Sequence, residues 1–145
     1  MAKINPYLIF NGNCEEAFLF YQSVFGNEFK YFVKFKDMPA ENFSEEVSEE
    51  DADKIIHVAL PIGKGTVLMG SDSNAQSNIV RIGNNFSISI NTESREEADA
   101  LFNGLSFGGK VFIPMNVSFW GAYFGMLEDK FGVNWMVNFD ETPQV

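Results

Sequence analysis

The chain has 145 residues, 16 of them phenylalanine, and its formal net charge is −10. This length is typical of one domain that buries roughly 68–70% of its unfolded surface, and no apolar run approaches the ~20 residues of a membrane-spanning helix. The negative charge excludes nucleic acid and an anionic membrane surface as partners, because both require clustered Lys and Arg.

A cytoplasmic location is expected from two further features. The first residues lack the basic segment followed by an apolar stretch that marks a signal peptide. The single cysteine, Cys14, cannot form an internal disulfide. Cys14 itself has two interpretations, as a small residue near a helix start or as a thiol made reactive by the helix N-terminus.

Strand-like and helix-like patterns alternate from the N-terminus. Ile4–Phe10 reads as a strand, with Leu8 and Phe10 on one face. The turn that follows places Asn13 as the N-cap of a helix over about 14–25, which Gly26 ends in a left-handed conformation.

The next segment is predicted as a strand and then a polar loop. Glu28–Lys36 alternates so that Phe29, Tyr31, Val33 and Phe35 share one face. Seven of the sixteen residues in Met38–Asp53 are acidic, which is typical of a solvated loop, although a lid over a ligand is an alternative.

The remaining predicted elements are six strands, one helix and one loop. In chain order they are strands Ile55–Leu60, Thr66–Gly70 and Asn85–Ile90, a helix over about 94–105, strand Lys110–Ile113, loop Pro114–Ser118, and strands Phe119–Leu127 and Val133–Phe139.

The two halves of the chain repeat each other. Glu15-Glu16-Ala17 and Glu96-Glu97-Ala98 each open an apolar helix after a strand, 81 positions apart. Two strands and a turn from Ile55 recur from Ala122, 67 positions later. We therefore predict two β-α-β-β-β modules, at about 1–72 and 85–140 with a connector at about 71–84, within a single domain of residues 1–145.

Several sequence motifs resemble one known family. Asn5-Pro6-Tyr7-Leu8, Gly12-Asn13-Cys14-Glu15-Glu16-Ala17 and Phe25-Gly26 are similar to the first module of PhnB-like proteins, a branch of the vicinal oxygen chelate superfamily. Phe119-Trp120-Gly121, Asp129-Lys130-Phe131-Gly132-Val133 and Trp135-Met136-Val137-Asn138 extend the resemblance over the whole chain.

The resemblance implies both a fold and a mode of assembly. The implied fold is α+β, with two tandem βαβββ modules forming curled mixed sheets around a cavity, as in glyoxalase I, bleomycin-resistance proteins and extradiol dioxygenases. It also implies a homodimer. Some relatives are labelled demethylubiquinone methyltransferases, but this sequence has no glycine-rich nucleotide loop after a strand to hold a methyl donor.

The superfamily resemblance further implies a divalent metal held by His, Gln or Glu from each module. The equivalent positions here are about Asn5, Met69, Asn85 and Met136. Two amides and two thioethers suit a hard or borderline cation poorly. We therefore expect no metal and no cofactor.

Alternation on the strands suggests a polar cavity face of amide and hydroxyl groups that could orient a ligand, although the same face could simply meet solvent or a partner. The residues predicted to contact a ligand are Asn5, Tyr7, His57, Met69, Asn85, Ser87, Trp120, Tyr123, Met136 and Asn138.

Four of the candidate residues also have structural interpretations. His57, the only histidine and the best single acid–base candidate, is either a hydrogen-bonded core residue, a ligand contact or a catalyst. Trp120 and Tyr123 are either core or interface residues or pocket walls. Asp129, in the final turn, is interpreted as an acid that is solvated or hydrogen-bonded to the turn.

Three functions are compatible with these observations. The favoured one is a metal-independent protein that binds a small, uncharged or weakly charged aromatic or polar molecule. The alternatives are a metal-dependent lyase, isomerase or dioxygenase of glyoxalase type, and a protein whose main property is dimerisation. Both arginines, Arg81 and Arg95, fall in or next to predicted connectors, which disfavours an anionic phosphonate ligand.

Overall fold

The computed structural model describes residues 1–38, 47–74 and 79–141. The chain divides into two compact units, Met1–Arg81 and Ile82–Val145. The first unit contains β1 (Tyr7–Phe10), α1 (Cys14–Phe25), β2 (Tyr31–Lys34), β3 (Ile55–Gly63) and β4 (Thr66–Asp72). The second contains β5 (Ile88–Asn91), α2 (Arg95–Ser106), β6 (Lys110–Val117), β7 (Ala122–Glu128) and β8 (Asn134–Asp140).

Within the described ranges, each unit contains one α-helix and one four-stranded mixed sheet. The strand order is β1-β4-β3-β2 in the first sheet and β5-β8-β7-β6 in the second, and neither sheet closes on itself. The first strand of each unit runs parallel to the last, and the other neighbours are antiparallel. The predicted tandem βαβββ arrangement is therefore confirmed.

The helix of each unit covers one face of its own sheet. Ala17, Phe18 and Tyr21 of α1 are fully buried, and α1 contacts β3 and β4. A Cβ atom at Gly70 of β4 would lie 2.7 Å from the Phe18 ring, so glycine is needed for this close approach. In the second unit, α2 packs in the same way on β7 and β8.

The start of α1 differs from the prediction. Asn13 occupies the N-cap position but makes no side-chain capping hydrogen bond. Asp72, at the end of β4, takes that role, because its Oδ1 accepts from the backbone N–H groups of Gly12 and Cys14 at 2.9 Å. The C-terminal end is as predicted, with Gly26 at φ 79°.

The strand predicted over Glu28–Lys36 is shorter than expected. Only Tyr31–Lys34 pairs with β3, and the register shifts between Val33 and Lys34. The strand ends at Lys34, and Phe35 begins the short 3-10 helix Phe35–Asp37. The alternation therefore does not extend to Phe35, which is buried although Tyr31 is 52% exposed.

Strand β6 contradicts the predicted loop Pro114–Ser118. The strand continues through Pro114 to Val117, with register shifts on both sides of Ile113. Because β6 lies at the edge of its sheet, proline removes no hydrogen bond from a central ladder.

The acidic segment Met38–Asp53 lies partly outside the described residues, which resume at residue 47. Within the described part, Asp51 is buried and its carboxylate pairs with the Lys54 ammonium at 2.9 Å. In the ranges that the structure covers, no helix is both long and apolar enough to cross a membrane.

Candidate functional site

In each unit, the sheet face opposite the helix carries the candidate site residues, and we call it the open face. Strand alternation separates the two faces. In the first sheet Leu8, Gly70 and Val58 are aligned across the strands on the helix side. Tyr7, Met69 and Ala59, one position away on each strand, therefore lie on the open face.

An aromatic cluster occupies the open face of the first unit, and we define it as Tyr7, His57 and Tyr31. The His57 ring stacks on Tyr7 with centroids 5.9 Å apart and 22° between the planes. On β2, which neighbours β3 directly, the Tyr31 ring lies 5.9 Å from the His57 ring. The two tyrosines remain 46% and 52% exposed, so their rings are accessible to a ligand.

The Tyr7 hydroxyl lies 3.5 Å from His57 Nδ1, at the long end of hydrogen-bonding distance. If the hydroxyl donates to Nδ1, the proton of the neutral imidazole is on Nε2. His57 then offers a donor from within an aromatic surface. This arrangement suits binding of a ring that carries an oxygen or nitrogen acceptor.

The open face of the second unit combines amides with aromatic rings. Asn91 of β5 and Asn138 of β8 are register partners, and Asn138 Nδ2 donates to Asn91 Oδ1 at 3.2 Å. Phe124 of β7 is the partner of Asn138 on the other side. Trp120 packs edge-on against Phe124 at 5.6 Å. We call Asn91, Phe124, Trp120 and Asn138 the amide–aromatic cluster.

The predicted ligand contacts divide into four groups in the structure. Tyr7, His57 and Met69 lie together on the open face of the first unit, and Trp120, Met136 and Asn138 lie with the amide–aromatic cluster of the second. Asn85 and Ser87 precede β5, which begins at Ile88 rather than at the predicted Asn85. Asn5 and Tyr123 make other contacts.

Asn5 and Tyr123 each bond elsewhere in their own unit. Asn5 Oδ1 accepts from the Val67 backbone N–H at 3.0 Å, which ties the start of β4 to the segment before β1. Tyr123 lies on the helix side of its sheet, where its hydroxyl donates to Asp99 at 2.6 Å. This bond to the carboxylate, together with burial, raises the pKa of Tyr123.

The four positions that hold the metal in the superfamily do not form a metal-binding set here. The oxygen of Asn5 is engaged as described, Met69 and Met136 supply only thioethers, and Asn85 is exposed outside the sheet. Over the described ranges, no three His, Cys, Asp or Glu side chains are close enough to hold one ion. The donors present therefore do not fit a hard or borderline divalent cation.

Sequence reasoning did not select Tyr31, Phe124 and Asn91 as site residues. Tyr31 was assigned to a strand face shared with Phe35, but Phe35 lies beyond the end of β2, in a 3-10 helix, and is buried. The strand preceding α2 was predicted to end at Ile90, one residue before Asn91. Continuing the alternation of Ser87 and Ser89 by one more step would have identified Asn91 as a residue on the open face.

Arg95, one of the two arginines, is already engaged. It forms an ion pair with Glu141, and its guanidinium lies 4.3 Å from the centre of the Tyr123 ring, on the helix side of the sheet. An anionic ligand would have to compete with the Glu141 carboxylate for this group. These contacts hold the Arg95 guanidinium on the helix side, away from the open face of the second unit.

The structure supports the interpretation of Cys14 as a small residue near the helix start and not as a reactive thiol. The side chain is fully buried, and burial, with smaller effects of the Asp72 and Glu15 charges, raises the pKa of the thiol far above its usual range. A thiol that stays protonated is a poor nucleophile.

The raised thiol pKa predicts how stability depends on pH. The folded chain holds the Cys14 proton more tightly than the unfolded chain, so this contribution is complete below about pH 8.5 and is lost as the pH rises further. We expect the free energy of unfolding to fall between pH 8.5 and 9.5 by about 1 kcal/mol more in the wild type than in Cys14→Ala. Urea unfolding at both pH values measures this difference. An equal fall of the unfolding free energy in the wild type and in Cys14→Ala would contradict a raised thiol pKa.

Comparison with known proteins gives matches over nearly the whole chain. The family model described as 3-demethylubiquinone-9 3-methyltransferase matches residues 2–138. Protein YjdN from Escherichia coli is 33% identical, with 93% of each chain covered. Protein PA1353 from Pseudomonas aeruginosa is 42% identical, with a TM-score of 0.83 and coverage of 97% of this chain and 98% of that one.

Two further solved structures have a similar fold. A putative 3-demethylubiquinone-9 3-methyltransferase, the PhnB protein from Bacillus cereus, is 28% identical over 95% of this chain and 99% of its own, with a TM-score of 0.71. The fosfomycin resistance protein FosX from Listeria monocytogenes, solved with Mn(II) and sulfate, shares the fold at 12% identity and a TM-score of 0.59, over 95% of this chain and 91% of its own.

Proposed function

This chain belongs to the 3-demethylubiquinone-9 3-methyltransferase family, in the PhnB-like branch of the vicinal oxygen chelate superfamily, and from that premise we propose that it binds a small, uncharged aromatic or polar molecule without the superfamily's usual metal. The observation that carries the proposal is the aromatic cluster, in which two exposed tyrosines flank His57 on the open face of the first unit. Exposed rings beside a hydrogen-bonding group are typical of ligand sites.

The charges near the aromatic cluster support an uncharged ligand. The Lys30 ammonium lies 5.7 Å from the centre of the Tyr31 ring, so a cationic ligand over that ring would be repelled. The net charge of −10 disfavours anions. A neutral aromatic ligand avoids both the repulsion by Lys30 and the repulsion by the net negative charge of the chain.

Binding should depend on the aromatic cluster. We expect benzyl alcohol or acetophenone to bind the wild type, and Tyr7→Ala and His57→Ala to weaken binding by about three- to tenfold, because an aromatic contact contributes about 0.5–1.5 kcal/mol. Titration calorimetry or ligand-observed NMR measures the affinities. Phe107→Ala is the matched control, because Phe107 is 75% exposed and lies outside the cluster. Binding of phenylphosphonate alone would contradict the proposal.

A metal-dependent reaction of glyoxalase type is the alternative function. Adding metal to the protein distinguishes it from ligand binding without a metal. A metal present at 100 times its Kd would stabilise the native chain by about 2.7 kcal/mol and raise Tm by roughly 5–11 °C. We expect Ni²⁺, Zn²⁺ and Mn²⁺ to change Tm by less than about 1 °C, well below that stabilisation. A rise of several degrees that disappears in His57→Ala would favour the alternative.

We also propose that the protein is a cytoplasmic homodimer. Edge strand β6 exposes Val111, Phe112, Ile113 and Val117 by 44–55%, which is apolar surface that a second copy could cover. Sedimentation at micromolar concentration should give twice the 16.3 kDa of one chain. A species of 16.3 kDa throughout the concentration range would rule out the dimer.

A further inference from the structure

The turn between β1 and α1 contains one of the two Asn-Gly dipeptides in the chain, Asn11-Gly12. In such a dipeptide the glycine nitrogen can attack the side-chain amide carbon of the asparagine, because glycine has no side chain to hinder the approach and its backbone is permissive. The result is deamidation of the asparagine. The other dipeptide, Asn103-Gly104, lies within α2, so the same chemistry can be compared in a turn and in a helix of one molecule.

The side-chain amide of Asn11 is bonded at two points to the backbone of Val80. The Val80 N–H donates to Asn11 Oδ1 at 2.9 Å, and Asn11 Nδ2 donates to the Val80 carbonyl at 3.1 Å. Both residues belong to the first unit. These two bonds fix the orientation of the amide, and because Asn11 is exposed, water can reach it.

The nitrogen that would attack this amide is also engaged. The Gly12 N–H donates at 2.9 Å to Asp72 Oδ1, the same oxygen that caps α1 at Cys14. Attack requires the nitrogen to give up its proton, and the negative charge of Asp72 beside it opposes that loss. Gly12 has φ 106°, which glycine adopts far more readily than other residues. The turn therefore requires the residue that makes Asn11 susceptible.

We propose that Asn11 is a deamidation site, and that its bonds to Val80 and the bond from Gly12 to Asp72 limit the rate because they must open before the reaction. The Gly12 nitrogen forms a bond to Asn11 Cγ and loses its proton, while the Cγ–Nδ2 bond breaks and ammonia leaves with that proton. Water then hydrolyses the cyclic imide at either carbonyl, which gives aspartate or isoaspartate at position 11. Water is the only other reactant.

The modification changes both sets of bonds. Either product has a carboxylate in place of the amide, so the donor to the Val80 carbonyl is lost and a negative charge lies beside that carbonyl oxygen. Isoaspartate also adds a methylene group to the main chain directly before Gly12, which displaces the Gly12 N–H from Asp72. Deamidation to isoaspartate therefore releases the backbone at Val80 and weakens the cap of α1.

The rate of deamidation in the folded and the unfolded chain tests the control by these bonds. Peptide mapping by mass spectrometry at mildly alkaline pH follows the replacement of NH₂ by OH at Asn11, with and without guanidinium chloride. We expect the folded wild type to react about tenfold more slowly than the unfolded chain, because local opening must come first. Equal rates would overturn the control by the bonds. If the folded chain stays unmodified when the unfolded chain has reacted completely, Asn11 is not a deamidation site of the native protein.

Val80→Pro and Val80→Ala form a matched pair of variants. Proline removes the N–H that donates to Asn11, whereas alanine keeps this group and shortens only the side chain. We expect Val80→Pro to raise the rate at Asn11 about three- to tenfold, as loss of one hydrogen bond implies, and Val80→Ala to leave it within about twofold. The rate at Asn103 in α2 should be unchanged in both variants, because each remains folded. A wild-type rate at Asn11 in Val80→Pro would overturn the role of Val80.

The products provide a test that needs no variant. Ion exchange separates the modified chains, which carry an additional negative charge, and peptide mapping identifies the isoaspartate form. In that form the backbone amides of Val80 and Cys14 should exchange faster with solvent, whereas the Gly26 amide at the other end of α1 should change little. Unchanged exchange at Val80 and Cys14 would overturn the proposed release. None of these measurements uses a ligand, so their outcome is independent of the proposed binding function.

Discussion

Asp129→Ala is expected to lower the free energy of unfolding by about 3–5 kcal/mol, a large part of the ~5–15 kcal/mol that typically stabilises a domain. Asp129 is only 2% exposed, and both oxygens of its carboxylate accept hydrogen bonds. Its Oδ1 accepts from the backbone N–H groups of Phe131 and Val133, and its Oδ2 accepts from the Trp135 indole at 2.9 Å. Alanine would leave the buried Trp135 indole N–H and the two part-buried backbone N–H groups without this acceptor.

Urea unfolding measures this loss, and exchange of the Trp135 indole proton gives a local readout, because that proton should lose its protection in the variant. Asp140→Ala is the matched control, since Asp140 is exposed at the end of β8, and we expect its effect to stay within about 0.5 kcal/mol. Equal effects of the two substitutions would show that the buried hydrogen bonds of Asp129 are not the cause.

Asp72→Ala is expected to destabilise the first unit by a similar amount, about 3–5 kcal/mol. Asp72 is 5% exposed, and it joins β4 to two other elements. Besides the two bonds that cap α1, its Oδ2 accepts from the Ile55 backbone N–H at 2.9 Å. A carboxylate at a helix N-terminus also interacts favourably with the helix dipole.

Amide hydrogen exchange tests the position of this effect. In Asp72→Ala the amides of Cys14 and Ile55 should exchange faster, whereas the Gly26 amide, which donates to Gln22 at the other end of α1, should change less. Asp37→Ala removes an exposed carboxylate from the same unit and serves as the stability control. Uniform acceleration along α1 would indicate global destabilisation instead of loss of the cap.

Loss of Asp72 would also affect the proposed site indirectly. Asp72 follows Ser71 at the end of β4, the strand whose open face includes Met69 beside Tyr7. The carboxylate that caps α1 therefore also fixes the end of a strand that carries the aromatic cluster. We regard Asp72 as a positioning residue for this site and not as a ligand contact.

The elements themselves could be predicted from the sequence, because their signals are local. Apolar spacing and Gly26 gave α1 its observed limits, and Ser94 caps α2 by accepting from the Glu97 backbone N–H at 3.0 Å. The repeat of helix and strand motifs predicted two modules with the same order of elements. Alternation also separated Leu8 and Phe10 from Tyr7 on β1.

Only the tertiary structure decided which residues meet across strands. The end of β2 at Lys34, which leaves Tyr31 on the strand and Phe35 in a buried 3-10 helix, depends on contacts between distant segments. The cap supplied by Asp72 and the pairing of Asn91 with Asn138 depend on them as well. Register is set by hydrogen bonds and packing between segments tens of residues apart, and a shift of one residue reverses every side chain on a strand. Local periodicity contains no information on such shifts, so the sequence specified the elements and long-range pairing assembled the candidate sites.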